Sequence, residues 1–211
     1  MKSIVFFGEY SCGITGLISN IMGKPLWFPA TFMDDIKAYT TNDSIKGIII
    51  GEYENAFPVI SVNVEQSSLD EVVLFEMHNS YNCEGLNNTQ KEVLQRSDAF
   101  FLVVNCEHCV IPKNFDSFYV FTSASKSPIN LIVTMMDRLS EADCENFMNY
   151  LKKKIIEELK TKGVVVDRLY YTSCCISNKR NKMHLQSDCA IQEEWIESDR
   201  MKEIINRVIF C

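Results

Sequence analysis

The sequence has little of what would mark a fibrous, membrane-spanning or disordered protein. Glycine and proline number only 8 and 5 among 211 residues, which excludes a collagen-like repeat and a Pro/Gly-rich disordered chain. No apolar run approaches the roughly 18 residues that cross a bilayer. The opening, Met1 to Phe7, begins like the head of a signal peptide, but Gly8 and Glu9 break it too early for a signal core. Basic charge is in the minority, with 21 Lys and Arg against 28 Asp and Glu and a formal charge of −7. A general nucleic-acid binder or a protein that adheres to acidic lipid needs a basic surplus, so neither is expected. Nine cysteines, an odd number at irregular spacing, do not form the framework of a small disulfide-stapled domain. These features together predict a cytoplasmic protein that inserts no membrane span, binds no nucleic acid and folds as a single domain over residues 1–211.

What is present is an alternation of apolar β-type runs with helical periods. Lys2 to Phe7 reads as a buried strand. A glycine-flanked turn, Gly8 to Gly13, follows, and then a helix with Leu17, Ile18, Ile21 and Met22 on one face, stopped by Gly23-Lys24-Pro25. Residues 25–41 show no period. Ile45 to Ile50, Val59 to Val64, Asp70 to Phe75, Ala99 to Val104, Leu131 to Thr134 and the 164–171 region read as strands. Asn88 to Arg96 reads as a helix, and so does the stretch from the N-cap Ser140 to about Lys162, closed by Gly163. Met77 to Leu86 and Ser177 to Ser187 read as polar loops, and Ile191 to Val208 as a final amphipathic helix. Strands alternating with helices predict an α/β fold with a mainly parallel sheet and helices on both faces.

The first turn carries the chemistry. Gly8-Glu9-Tyr10-Ser11-Cys12-Gly13-Ile14-Thr15 has the spacing of a phosphate-binding loop, with a strand before it and a helix after it. Glycines let backbone amides wrap a phosphate, and the helix N-terminus adds favourable partial charge. The position where such loops carry a lysine holds Ile14, which brings no charge; Thr15 keeps the hydroxyl that ligates Mg²⁺ in such sites. A glycine-flanked strand–helix corner with no ligand is the plainer reading of the same residues.

The longer string Phe6-Phe7-Gly8-Glu9-Tyr10-Ser11-Cys12-Gly13-Ile14-Thr15-Gly16-Leu17-Ile18-Ser19-Asn20-Ile21-Met22-Gly23 resembles the opening of a dynamin-like GTPase domain. Later stretches resemble that family's motifs in order. Phe28-Pro29-Ala30-Thr31 stands where the family has a threonine that helps hold Mg²⁺ and the catalytic water, which makes Thr31 the catalytic candidate. Glu76-Met77-His78-Asn79 stands at the Asp-x-x-Gly signature, Thr134-Met135-Met136-Asp137 at the guanine-reading motif, and Thr172-Ser173-Cys174 at the last base-contact motif. The resemblance implies a three-layer P-loop GTPase-like fold. It implies nucleotide contacts from Gly8, Ser11, Cys12, Gly13, Ile14, Thr15, Glu76, Thr134, Asp137 and Ser173, with Thr15 and Thr31 on magnesium. It implies GTP or GDP with Mg²⁺ as cofactor, while the lost lysine leaves no cofactor as an equal alternative. Ile14, Asn79 and Met135 depart from the family pattern, and the stalk and membrane-binding segments of full dynamins do not fit in the remaining length. The expectation is a degenerate, pseudo-GTPase domain acting through a protein partner or as a homodimer across the nucleotide face. The alternative is a slow Mg-dependent GTPase with a lysine borrowed from elsewhere, such as Lys24, and a further one an unrelated α/β interaction module.

Other clusters are weaker. Cys106-Glu107-His108-Cys109 has the spacing of half a zinc site or of a redox pair and lacks a second half. A cysteine–histidine nucleophile would need His78, His108 or His184 beside a reactive thiol such as Cys12. Trp27 and Trp195 read as packing residues, Lys152 to Lys154 as a solvated helix face, and Lys179 to Lys182 as a basic surface loop.

Overall fold

A computed structural model of the chain describes residues 1–24, 26, 35–64, 69–78, 85–113, 115–124, 129–173, 192–196 and 201–210. At its centre is β1 (Lys2–Gly8), whose Ile4, Val5, Phe6 and Phe7 are all fully buried. Both faces of this strand are apolar because both are covered. Each such side chain contributes roughly 1.5–3 kcal/mol relative to exposure. The phosphate-type loop leads from β1 into α1 (Ile14–Met22). There follow β2 (Ile36–Thr40), α2 (Asp43–Glu52), β3 (Val59–Ser61), β4 (Val72–His78), α3 (Asn88–Arg96), β5 (Ala99–Asn105), α4 (Phe115–Ala124) and β6 (Ile129–Thr134). A short 3₁₀ turn, Met136–Arg138, precedes α5 (Glu141–Leu151), which passes through a π-helical stretch, Lys152–Ile156, into α6 (Glu157–Thr161). The described chain closes with β7 (Val166–Thr172), β8 (Gln192–Ile196) and α7 (Met201–Phe210).

The eight strands form one sheet in the order β3-β2-β4-β1-β5-β6-β7-β8. Every neighbouring pair is parallel except β2 with β4. Alternate residues of β1 feed two cores. Val5 and Phe7 pack with residues of α2, α3, α4 and α5 on one face, while Ile4 and Phe6 pack with α1 and α7 on the other. Parallel rings lock each layer: Phe7 stacks on Phe118 at 4.4 Å, and Phe6 on Phe101 at 5.0 Å. The expected three-layer, mainly parallel architecture is the one observed.

Several local expectations are corrected. Ile45 to Ile50 is not a strand but the middle of α2. The Asn42 side chain accepts from the Ser44 amide, and Ile45 and Ile49 turn inward at helical spacing, so capping and packing override the β-branched run. The 25–41 segment read as irregular contains β2, all five of whose residues are buried. The Val59 to Val64 strand shortens to Val59–Ser61, and β4 extends through His78, into what read as loop. The single helix expected over 191–208 is instead β8 followed by α7. Helix α4 answers to nothing read from the sequence. The helix starting at Ser140 stands, with the Ser140 hydroxyl accepting from the Asp143 amide, and Gly163 ends it at φ 79°. The 177–187 loop, Trp27 and the 179–182 basic run lie outside the described residues. No described helix is long and apolar enough to cross a membrane.

Gly8 is required by space. A Cβ there would lie 2.5 Å from the Val103 carbonyl oxygen and 2.6 Å from Cys12 Sγ. The backbone contact belongs to the β1–β5 pairing and has no flexible end to move. Gly8→Ala is therefore expected to lower unfolding stability by about 1–3 kcal/mol, read as a fall in urea midpoint at unchanged slope.

Candidate nucleotide site

The phosphate-type loop sits where three strand ends meet. In register, Gly8 lies beside His78 of β4 on one side and Val103 of β5 on the other. Ser11 and Gly13 both take left-handed backbone conformations, at φ 64° and 91°. Two loop carbonyls are held by the neighbouring strands. The Ser11 carbonyl accepts from Asn105 Nδ2 at 3.5 Å, and the Cys12 carbonyl accepts from the Thr134 hydroxyl. These bonds fix the loop against β5 and β6 just ahead of α1, whose N-terminus has no side-chain cap. Curved backbone before a helix N-terminus is the element that takes phosphate. Ile14 in the lysine position is 1% exposed and belongs to the α1-side core, with its Cδ1 3.4 Å from the point where a Gly8 Cβ would stand. The place of a phosphate-binding cation is filled by hydrocarbon.

One step along the sheet, a buried carboxylate collects donors. Glu76 is fully buried. Thr15 Oγ1 donates to its Oε1 at 2.6 Å, His78 Nε2 bonds the same oxygen at 2.7 Å, and the Tyr39 hydroxyl donates to Oε2. The Lys37 ammonium, also buried, lies 3.9 Å from Oε1. Period-two geometry explains the grouping: Glu76 and His78 share the α1 face of β4, Lys37 is the antiparallel partner of Glu76, and Tyr39 lies two residues along β2. Burial alone raises the Glu76 carboxyl. The hydrogen bond and charge of His78, with the bonds from Thr15 and Tyr39, outweigh it and bring the carboxyl from 4.5 down to about 2. Burial beside this carboxylate pushes the Tyr39 hydroxyl well above the usual phenol range, so it stays a donor.

This arrangement does not suit the magnesium ion expected at Thr15. The carboxylate beside Thr15 already accepts from three side chains and faces a buried ammonium, so a divalent cation would meet positive charge where it needs free oxygen ligands. Thr31, the other expected magnesium and catalytic residue, and Asn79 lie outside the described residues. No group of three acidic, histidine or cysteine side chains among the described residues is placed to hold a metal. Lys24 does not supply the missing cation either. It follows the far end of α1, about 14 Å along the axis from Ile14, and its ammonium donates to the Asn63 carbonyl.

A second polar group lies at the tips of β6 and β7. Asp137 Oδ1 accepts from the Ser173 hydroxyl at 2.7 Å, which brings together two residues from separate sequence motifs. Met135 precedes the 3₁₀ turn in a left-handed conformation at φ 60°, and its carbonyl accepts from Cys106 Sγ at 3.0 Å. Thr134 joins this end to the phosphate-type loop through the Cys12 carbonyl. Gly8, Ser11, Cys12, Gly13, Ile14, Thr15, Glu76, Thr134, Asp137 and Ser173 thus fall at or just beyond the same ends of neighbouring strands and in the first turn of α1, with Cys12, Ile14, Glu76 and Thr134 buried.

Burial pushes the Cys106 thiol up to about 11 and the Cys109 thiol up to about 12, so both are protonated at neutral pH. His78 is bonded to Glu76 through Nε2, and its ring stacks on Tyr10. Cys174, Cys175, Cys83 and His184 lie outside the described residues. The sequence reading missed Lys37, Tyr39, Asn105 and the role of Tyr10. An isolated lysine inside Ile36-Lys37-Ala38-Tyr39-Thr40 was the available signal for the first two, since a lysine in a buried strand needs an acidic partner.

No family model and no curated protein matches the sequence. Solved structures do. One partner of an oligomerised bacterial dynamin pair superposes with a TM-score of 0.52 and 13% identity, over 82% of this chain and 33% of that one. Bacterial selenocysteine-specific elongation factor EF-Sec superposes with a TM-score of 0.52 and 11% identity, over 100% of this chain and 29% of that one. This is the P-loop GTPase fold. The chain spans about a third of the length of these two proteins.

The Glu76 cluster has a pH signature. Its folded carboxyl titrates below the unfolded one. It therefore stabilises the fold fully above pH about 4.5 and loses that contribution as pH falls toward 2, on the order of 3 kcal/mol in all. The stability difference between the native protein and Glu76→Gln, from urea unfolding, is expected to shrink as pH drops through that window. A difference that stays constant would contradict it.

Proposed function

We propose that the chain is a hydrolysis-incompetent GTPase-fold domain that holds a guanine nucleotide weakly and works through protein contacts, in the manner of a degenerate dynamin-like G domain. The observation that carries this reading is Ile14 buried in the lysine position, beside a Glu76 carboxylate occupied by the protein's own donors. Phosphoryl transfer depends on positioning and charge neutralisation. Removing one charge-assisted donor from a shielded site costs about 3 kcal/mol or more, which is two orders of magnitude in rate. The base end keeps its polar residues, since the Asp137 carboxylate can accept from a guanine N1–H and N2–H while Ser173 holds it in place. The loop keeps its curved backbone and the start of α1. A site with a carboxylate for the base and backbone for phosphate, but hydrocarbon in the lysine position, supports binding without turnover.

A slow magnesium-dependent GTPase is the less favoured reading. It would need the Glu76 cluster to open and a cation to replace the one missing at Ile14. The contacts we propose are with a second copy across the nucleotide face or with a dynamin-like partner. The resemblance to a bacterial dynamin pair that oligomerises is the ground for this.

Thermal unfolding with GDP, GTP and ATP tests the reading. Guanine nucleotide at about 100 times its Kd adds about 2.7 kcal/mol of stability, so a shift is expected for GDP and none for ATP. Asp137→Ala is expected to abolish the GDP shift. Phosphate release from GTP is expected to match the buffer blank. A shift with ATP equal to that with GDP, or steady GTP turnover by the purified chain, would overturn it.

A further inference from the structure

The side chain of Tyr10 reaches from the loop across the strand ends. Its ring lies 4.6 Å from that of His78 at an interplanar angle of 15°, and its hydroxyl donates to Asp35 Oδ1 at 2.8 Å. The platform under it is rigid. His78 is the register partner of Gly8, its amide donates to the Asp35 carbonyl at 2.9 Å, and its own carbonyl accepts from the buried Gln90 side chain at 3.2 Å. Its ring is tied to Glu76. The stack therefore spans the step from β1 to β4, with Glu76 two residues back along the same strand.

Strand order fixes what lies there. Asp137 and Ser173 are at the β6 and β7 tips, the loop is at β1, and the next strand beyond is β4. A nucleotide with its base at Asp137 and its phosphates on the loop runs along this line. Neighbouring strands are about 4.8 Å apart, so a phosphate beyond the second reaches the β1–β4 step. There it meets the Tyr10–His78 stack, with the buried Glu76 carboxylate behind it. The cation that normally shields a triphosphate from such a carboxylate has no free ligands at Thr15 and Glu76, and the Lys37 charge is turned to Glu76.

We infer that the site takes a guanosine diphosphate without a divalent ion, and that the Tyr10–His78 stack excludes the third phosphate. This rests on the guanine reading above and adds which nucleotide and in which form. Tyr10 is a specificity residue, with no part in bond making or breaking.

The test is calorimetric titration of the full chain with GDP and with GTP, each in magnesium and in EDTA. GDP is expected to bind with the same Kd in both buffers within about twofold, and GTP about tenfold or more weaker. Tyr10→Gly is expected to bring the GTP-to-GDP ratio to within about threefold, and Tyr10→Phe, which keeps the ring, to preserve most of the preference. GTP binding as tightly as GDP, or GDP tightening about tenfold with magnesium, overturns this inference and leaves guanine binding standing. Binding of neither nucleotide overturns the guanine reading as well.

Discussion

The carboxylate of Glu76 is the point on which the centre of the molecule turns. A fully buried charge is tolerated only where donors and countercharge surround it. Here they arrive from α1, β2 and β4 together. Meeting that one requirement fixes the register of the single antiparallel pair, Lys37 against Glu76, and the position of the first turn of α1. The loop between β1 and α1 then has both ends set, by the β-sheet on one side and Thr15 on the other.

The same satisfaction bears on chemistry. GTPase-fold sites place their charges for a ligand, whereas this site turns them toward each other. Thr15, His78, Tyr39 and Lys37 serve the carboxylate, and Ile14 joins the core. Internal pairing raises stability at the expense of free ligating groups, a trade common between stable and active sites. The backbone of the loop and the Asp137–Ser173 end lie outside that cluster. The proposed weak, metal-free binding follows from that division.

Aromatic packing gives the site its walls. Tyr10 closes the β4 side through His78, and Phe6 and Phe7 anchor β1 to both layers below. The loop is thus mounted on the most deeply buried strand, where small shifts are costly. Asn105 and Thr134 extend the same rigidity outward to β5 and β6 by holding the loop carbonyls.

The sequence by itself determined the alternation of strands and helices, the glycine-flanked turn after the first strand, the caps at Ser140 and Gly163, and the missing loop lysine. All of these are local: they follow from period, propensity and spacing within a few residues. The loop residues, Glu76, Thr134, Asp137 and Ser173 were legible one motif at a time, whereas Lys37, Tyr39 and Asn105 belong to no local motif and were not. Only the tertiary structure decided that Ile45 to Ile50 is helix, that 192–196 joins the sheet edge, and that β2 runs antiparallel to β4. Only it brought Thr15 to Glu76 across 61 residues of chain, Tyr39 to Glu76 across 37, and Tyr10 to Asp35 across 25. Contacts between distant residues depend on strand order and direction, which no local pattern specifies. Whether the phosphate-type loop faces a cation, a metal or a ring is a property of those contacts, and so of the fold.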